Sequence, residues 1–252
     1  EREAGFSMEL WAENMGVYTV GFISPTGEVA REISVPLRGE NTVSFLLEQT
    51  QITVYTQIAD VSAGSQFIFM RFENPMSGIW RILIRNSLDI RETFHLWLPV
   101  RGFITDETYF LRPDPDTIIT DPGNARYPIT VTAYDHTKNS IYIHASRGYS
   151  LSGRIKPDLA APGVNILGAS VSGRRLTRMS GTSVSAAHLA GAAAILLNWG
   201  VLNANYPYLN TPVLKSIFVR GAQRNPALTY PNREFGYGTL DLYEAFLHLR
   251  NL

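Results

Sequence analysis

A Gly-Thr-Ser turn directly before a long apolar segment constrains this 252-residue chain more than any other feature. Residues 186–199 are rich in Ala, Leu and Ile, which favour helix, so a helix is predicted to begin near Ser183. Gly181 permits a tight turn and a close backbone approach. The first N–H groups of a helix have no partner within it. A serine hydroxyl placed there can attack a carbonyl carbon while free N–H groups stabilise the resulting oxyanion.

The same residues also have a purely structural interpretation, because Ser and Thr are preferred at helix N-caps. The wider context favours catalysis. Residues 179–191 (MSGTSVSAAHLAG) resemble the serine box of the subtilisin-like (S8) proteases, G-T-S-x-x-x-P-H-x-x-G. Ala187 stands where that family usually has proline, which alters packing beside the serine but removes no reacting group.

Two further motifs follow the order of the same family. Residues 156–163 (KPDLAAPG) resemble its K-P-D-x-x-A-P-G segment, and residues 235–241 (FGYGTLD) resemble its closing G-x-G-x-x-(D/N) turn. The resemblance covers about residues 116–252. It implies a parallel sheet with flanking helices and a serine endopeptidase acting on peptide or protein substrates. Ser183 would be the catalytic nucleophile, and its backbone N–H, with Thr182 nearby, would bind the oxyanion.

The groups that should activate the serine are missing from the sequence. Such a serine needs a histidine base, oriented by a carboxylate. The family's D-(S/T)-G and H-G-T-x-V-A boxes and its A-A-G-N oxyanion segment are not found. We therefore expect a C-terminal fragment, nearly inactive alone, whose triad Asp and His and oxyanion Asn come from a missing N-terminal part. Each histidine present is predicted to be structural: His95, His136, His144, His188 and His248.

Residues 1–115 are predicted to form a separate β-sandwich or jelly-roll domain. Short stretches of alternating apolar and polar residues recur about every ten residues, as in 18–22, 52–54, 67–69, 80–84 and 94–98. This part resembles the jelly-roll insertion of a bacterial subtilase group that includes the Csp-type spore-germination proteases. In that group the insertion is understood to brace the protease domain. Residues 114–116 are predicted to be the linker to the C-terminal part of the catalytic domain, residues 116–252.

Three tryptophans raise the alternative of a sugar-binding surface. Aromatic rings can stack on sugars, but these lie in apolar strand patterns, so packing in the core is the favoured interpretation. They are Trp11, Trp80 and Trp97.

The second half is predicted to be α/β. Strands are expected at residues 129–133, 141–145 and 164–169, and helices at 183–199, 212–220 and 240–249. Thr211 is predicted to cap the second helix, with Pro212 in its first turn. Without the rest of the sheet, apolar faces of this half should lack cover.

Composition argues against several classes of partner and of binding site. The formal net charge of +0 gives no reason to expect nucleic acid or a membrane surface as partner. No apolar run was expected to span a bilayer, and residues 192–197 are predicted to be a buried helix. The chain has no cysteine, and no acidic cluster has calcium-loop spacing, so no metal and no cofactor are predicted. The resemblance favours a secreted or spore-associated bacterial protein. A non-catalytic pseudoprotease that serves in interactions is the alternative function.

Overall fold

The computed structural model describes residues 4–12, 17–33, 39–60, 65–87, 93–100, 102–171 and 175–250, with only the backbone of 58–60 and 250. The chain divides into two compact units, Glu1–Pro113 and Asp114–Leu252.

The described part of the first unit contains two antiparallel sheets. One has five strands in the order β4-β5-β6-β1-β8, and the other has three in the order β3-β2-β7. Turn residues separate short, alternating segments, as the sequence predicts. The strands are β1 (Gly5–Ala12), β2 (Tyr18–Ile23), β3 (Val29–Ile33), β4 (Gly39–Phe45), β5 (Thr50–Asp60), β6 (Ser65–Glu73), β7 (Arg81–Asn86) and β8 (Phe94–Trp97).

A single hydrophobic core receives side chains from both sheets. Alternate residues of β1 and β6, such as Leu10 and Met70, are fully buried, as is Phe22 of the smaller sheet. Trp80 packs against this core, with its ring 5.1 Å from that of Phe45. The prediction that Trp80 is a core residue is therefore confirmed.

Trp11 and Trp97 lie outside this core, so the same prediction is wrong for both. Trp11 follows the inward-facing Leu10 along β1, and successive side chains of a strand point to opposite faces. Trp11 is opposite Phe67 of β6 and His95 of β8. The outward side of the larger sheet thus carries a row of half-buried aromatic rings. Alternation alone does not tell which side is inward when both sides are apolar.

The second unit contains a small mixed sheet, a hairpin and three α-helices among its described residues. Strand β9 (Val131–Asp135) pairs in parallel with β11 (Leu159–Pro162) and antiparallel with β10 (Ser140–Ile141). The strands β12 (Ile166–Ala169) and β13 (Leu176–Met179) form the hairpin. The helices are α1 (Thr182–Leu197), continued by a π-helical segment (Asn198–Leu202), α2 (Thr211–Gly221) and α3 (Leu242–Arg250).

Two local predictions differ from the structure. The strand expected at residues 141–145 ends at Ile141, because the chain then turns and the Ala145 N–H donates to the Tyr142 carbonyl at 2.9 Å. Helix α2 is capped by Asn210 instead of Thr211, since the Asn210 side chain accepts a hydrogen bond from the Val213 N–H at 3.2 Å. Pro212 lies in the first turn, as predicted.

Helix α1 is buried on one side only. Leu189, Ala192 and Leu196 enter a core shared with α2 and α3. Ile195 and Leu197 are 53% and 37% exposed, so the prediction that residues 192–197 are wholly buried is wrong.

Helix α1 and its π-helical continuation also reach the length and hydropathy of a membrane span. The continuous segment Thr182–Leu202 has 21 residues and passes as a membrane span by length and composition alone. Core helices of globular domains have the same composition, and this helix packs against β9 and β11.

Candidate active site

Ser183 is an exposed residue in the first turn of α1, and the N-terminus of this helix has no side-chain cap. The N-cap position is Gly181, whose φ of 152° is one that residues with a Cβ rarely adopt. The other two α-helices have caps: Asn210 for α2, and Asp241, which accepts from the Glu244 N–H at 2.9 Å, for α3. The capping interpretation of Thr182 and Ser183 is therefore wrong.

Two backbone donors are left free beside the serine. The N–H groups of Val184 and Ser185 donate to the Gly181 carbonyl at 3.1 and 3.4 Å. The N–H groups of Thr182 and Ser183 have no acceptor within the described residues. Unsatisfied donors at the positive end of a helix attract negative charge. The arrangement can stabilise an oxyanion formed when the Ser183 hydroxyl attacks a carbonyl.

The serine box is fixed to the end of β11. Ser185 is fully buried, and its hydroxyl donates to the Ala161 carbonyl at 2.9 Å. The Gly181 N–H donates to the Gly163 carbonyl at 2.8 Å. A Cβ at Gly163 would overlap the Ser185 hydroxyl, so only glycine permits this approach. The sequence analysis missed Ser185, although its place two residues after the nucleophile, on the inward side of an apolar helix, was a signal.

The closing motif is hydrogen-bonded to the K-P-D segment, to which the serine box is also attached. The Tyr237 N–H donates to the Asp158 carbonyl at 2.9 Å, and the Leu240 N–H donates to the Ala160 carbonyl at 2.8 Å. In return the Ala160 N–H donates to the Gly238 carbonyl at 2.9 Å. The three segments identified by resemblance are therefore in direct contact through β11.

A buried ion-pair network supports this junction. Lys156 and Asp158 are 1% and 0% exposed, and Lys156 Nζ lies 2.9 Å from Asp158 Oδ2. Lys156 Nζ also donates to the Pro128 carbonyl at 2.9 Å, while Lys215 of α2 pairs with the other carboxylate oxygen. Burial lowers the pKa of Lys156, although the Asp158 carboxylate opposes the shift. Sequence reasoning could not find Lys215, since no motif includes it.

None of the five histidines bonds to Ser183 in the described part of the chain, and His144 lies outside the strand predicted for it. His188 is five residues after Ser183, which turns its side chain about 140° around the helix, and its Nδ1 lies 3.1 Å from the Val184 carbonyl oxygen. The others belong to different elements: His95 to β8, His136 to the β9–β10 turn, His144 to the segment after β10, and His248 to α3.

A small cavity lies beside the residue preceding the nucleophile. It has a volume of about 210 Å³, and its lining includes Thr182, Asp121 and Thr132. The Thr132 hydroxyl is buried and has no hydrogen-bond partner. The lining thus brings one acidic residue, Asp121, beside the residue that precedes the nucleophile.

Several known proteases are similar to this chain. The chain resembles Subtilisin-like protease 1 of Pseudogymnoascus destructans, with 33% identity across 42% of this chain and 24% of that protein. It also resembles the serine protease AprX of Bacillus subtilis, with 35% identity across 34% of this chain and 23% of that protein. The solved CspB protease of Clostridium perfringens superposes with a TM-score of 0.86 and 28% identity, over 99% of this chain.

The chain spans only part of these relatives, about a quarter of the two curated proteases and 52% of CspB. The CspB superposition shows a subtilase-like fold. The sequence model of the subtilase family (peptidase S8) matches residues 112–238, half of the chain. This stretch contains the nucleophile candidate, the K-P-D segment and the closing glycines, so the chain belongs to the subtilase family.

Proposed function

We propose that this chain is the C-terminal part of a subtilisin-like serine endopeptidase and that Ser183 is its nucleophile. The observation that carries this proposal is the open N-terminus of α1, where an exposed serine lies beside two unpaired backbone N–H groups. A helix that needed only stability would have a cap here, as α2 and α3 do.

The chemistry is acyl transfer in two steps. The Ser183 hydroxyl oxygen bonds to the carbonyl carbon of the scissile peptide while a base takes its proton. The N–H groups of Ser183 and Thr182 donate to the oxygen that becomes negative. The C–N bond then breaks, and the base returns the proton to the departing amine. Water attacks the acyl-enzyme by the same route, which releases the acid and restores the serine.

We propose that the base, its orienting aspartate and the oxyanion asparagine come from outside these 252 residues. No histidine of this chain bonds to Ser183 in the part that the structure describes. The exposed side of α1 carries an apolar stripe from Ala186 onward, close to Ser183. A helical stretch that is apolar throughout, as residues 189–197 are, is normally covered on all sides. A segment that covered this stripe would lie next to the nucleophile. The stripe consists of Ala186, Ala187, Ala190, Gly191, Ala194 and Leu197, and the exposed Ile195, one turn after Gly191, lies at its edge.

The first unit is proposed to be a jelly-roll insertion that braces the protease, within the boundaries 1–115 and 116–252. Two antiparallel sheets around one core support an architecture of this kind. Residue Asp116 accepts a hydrogen bond from Arg233 at 2.7 Å, so the proposed linker is tied to the second unit.

The test is covalent labelling of the full-length protein with a fluorophosphonate probe. We expect labelling of the wild-type protein and of the control Ser180→Ala, which changes a neighbouring exposed serine. We expect none of Ser183→Ala. Absence of labelling in the folded full-length wild type would reject the proposal. The 252-residue chain alone should label at least a thousandfold more slowly, because removing the base costs orders of magnitude in rate.

The alternative is a non-catalytic interaction protein. It is favoured by the aromatic row on the outward side of the larger sheet, where Trp11 lies 4.6 Å from Phe67 and His95 stacks on Trp97 at 6.2 Å. Half-buried rings on one surface suit a partner or a sugar. A folded full-length protein that does not label at Ser183, but loses binding to a protein or glycan on Trp11→Ala, would establish this alternative.

A further inference from the structure

Although the net charge is neutral, the nucleophile lies within a long stretch of sequence that has no acidic residue. Between Asp158 and Glu234 the chain has no Asp or Glu. The same region has seven basic residues: Arg174, Arg175, Arg178, Lys215, Arg220, Arg224 and Arg233. Among the described residues, two of these cations form ion pairs, Lys215 with Asp158 and Arg233 with Asp116.

The arginines nearest to Ser183 in sequence lie on the hairpin that leads into α1. Arg175 and Arg178 are both exposed. Arg178 is opposite Leu167 of β12, and cross-strand partners project to the same face. Leu167 and Leu176 are each 55% exposed. The hairpin therefore presents a face that is both apolar and cationic.

The Arg178 guanidinium is held in place. Its Nη1 donates to the Asn165 carbonyl at 2.9 Å, and the Asn165 N–H in turn donates to the Ser180 hydroxyl at 2.9 Å. A guanidinium has five N–H donors, so several remain for a carboxylate. Asp135 borders a cavity with Arg178, and its Oδ1 accepts two hydrogen bonds from Thr137, at 2.7 and 2.9 Å, but no ion pair joins Asp135 to Arg178 among the described residues.

From this surface we infer the substrate class of the proposed protease: peptides with Asp or Glu three to five residues from the scissile bond, bound by Arg178, with the nearby Arg175 adding positive charge. The inference rests on the proposed function. Arg178 and Ser183 are five positions apart, so their Cα atoms are separated by at most about 17 Å even in an extended chain. A bound extended peptide advances about 3.3 Å per residue, so its third to fifth residues from the cleaved bond reach the same distance. At substrate positions nearer to the scissile bond we expect no preference for acidic residues, because the acidic Asp121 lines the cavity beside Thr182.

The experiment is digestion of a mixture of randomised decapeptides by the full-length protein, with the cleaved ends sequenced by mass spectrometry. We expect Asp and Glu to be enriched about two- to fivefold at each of these positions on one side of the bond, which is the range of exposed ion pairs. The enrichment should fall when salt is raised from 0.05 to 0.5 M (about tenfold), since screening weakens exposed charge interactions.

Variants identify the residues responsible. The double variant Arg175→Glu/Arg178→Glu should reverse the preference toward Lys and Arg, and Arg175→Gln/Arg178→Gln should abolish it. Arg81→Glu, an exposed arginine of the first unit, is the matched control and should leave it unchanged. Equal fluorophosphonate labelling of all variants shows that they are folded.

The labelling and digestion experiments distinguish an error in the substrate class from an error in the proposed protease function. Cleavage with Ser183 labelling but without acidic enrichment, or with enrichment that survives the double variants, overturns the substrate class and leaves the protease intact. Neither labelling nor cleavage overturns both.

Discussion

The two units differ in how completely their cores are enclosed. In the first unit, buried residues from two sheets face each other, and Leu10, Phe22 and Ile52 are 0% exposed. In the second unit, α1 buries Leu196 completely but leaves Ile195 at 53% exposed. Residues 189–197 of α1 are all apolar, yet one side of this stretch is exposed, which indicates that this part of the second unit needs a further surface to cover it.

The largest expected effect concerns the buried ion pair of the second unit. Asp158→Ala should lower the free energy of unfolding of that unit by about 3–5 kcal/mol, because Lys156 would remain buried without its carboxylate. Chemical denaturation of the full-length protein, followed with separate probes for each unit, measures it. The first unit, whose core contains neither residue, should lose less stability, and an unchanged second unit would contradict the role given to the ion pair.

A paired substitution on α1 tests the open side directly. In the 252-residue chain, Ile195→Ala should change the free energy of unfolding by less than about 0.5 kcal/mol, as for other exposed sites. In the full-length protein it should cost about 2 kcal/mol or more, because the proposed covering segment would bury the side chain.

Leu196→Ala is the control for that experiment. Leu196 is fully buried within the described structure, so its truncation should cost about 2–5 kcal/mol in both proteins. Equal, small effects of Ile195→Ala in both proteins would mean that this side of α1 stays open, and the proposed source of the catalytic base would lose its support.

The same contrast explains which features the sequence could predict. Elements with local signals were found, such as the strand around Val20 and the helix after Gly181. The side of a strand that faces inward was not, because Trp11 and Leu10 are both apolar and only the pairing with other strands separates them. For the site, resemblance predicted Ser183 and the motifs around it. The Lys215 ion pair and the hydrogen bond of Arg178 depend on contacts between distant segments, which no spacing reveals.

The smallest expected effect compares a capped helix with the uncapped one. Asn210→Ala should cost about 1 kcal/mol of the second unit's stability, because the Val213 N–H would lose its acceptor. Thr182→Ala should cost less than about 0.5 kcal/mol, because its side chain caps nothing in α1. Denaturation of the 252-residue chain measures both. If Thr182→Ala cost as much as Asn210→Ala, its hydroxyl would have to support the helix after all. The first turn of α1 could then no longer be regarded as a site left open for a substrate oxygen.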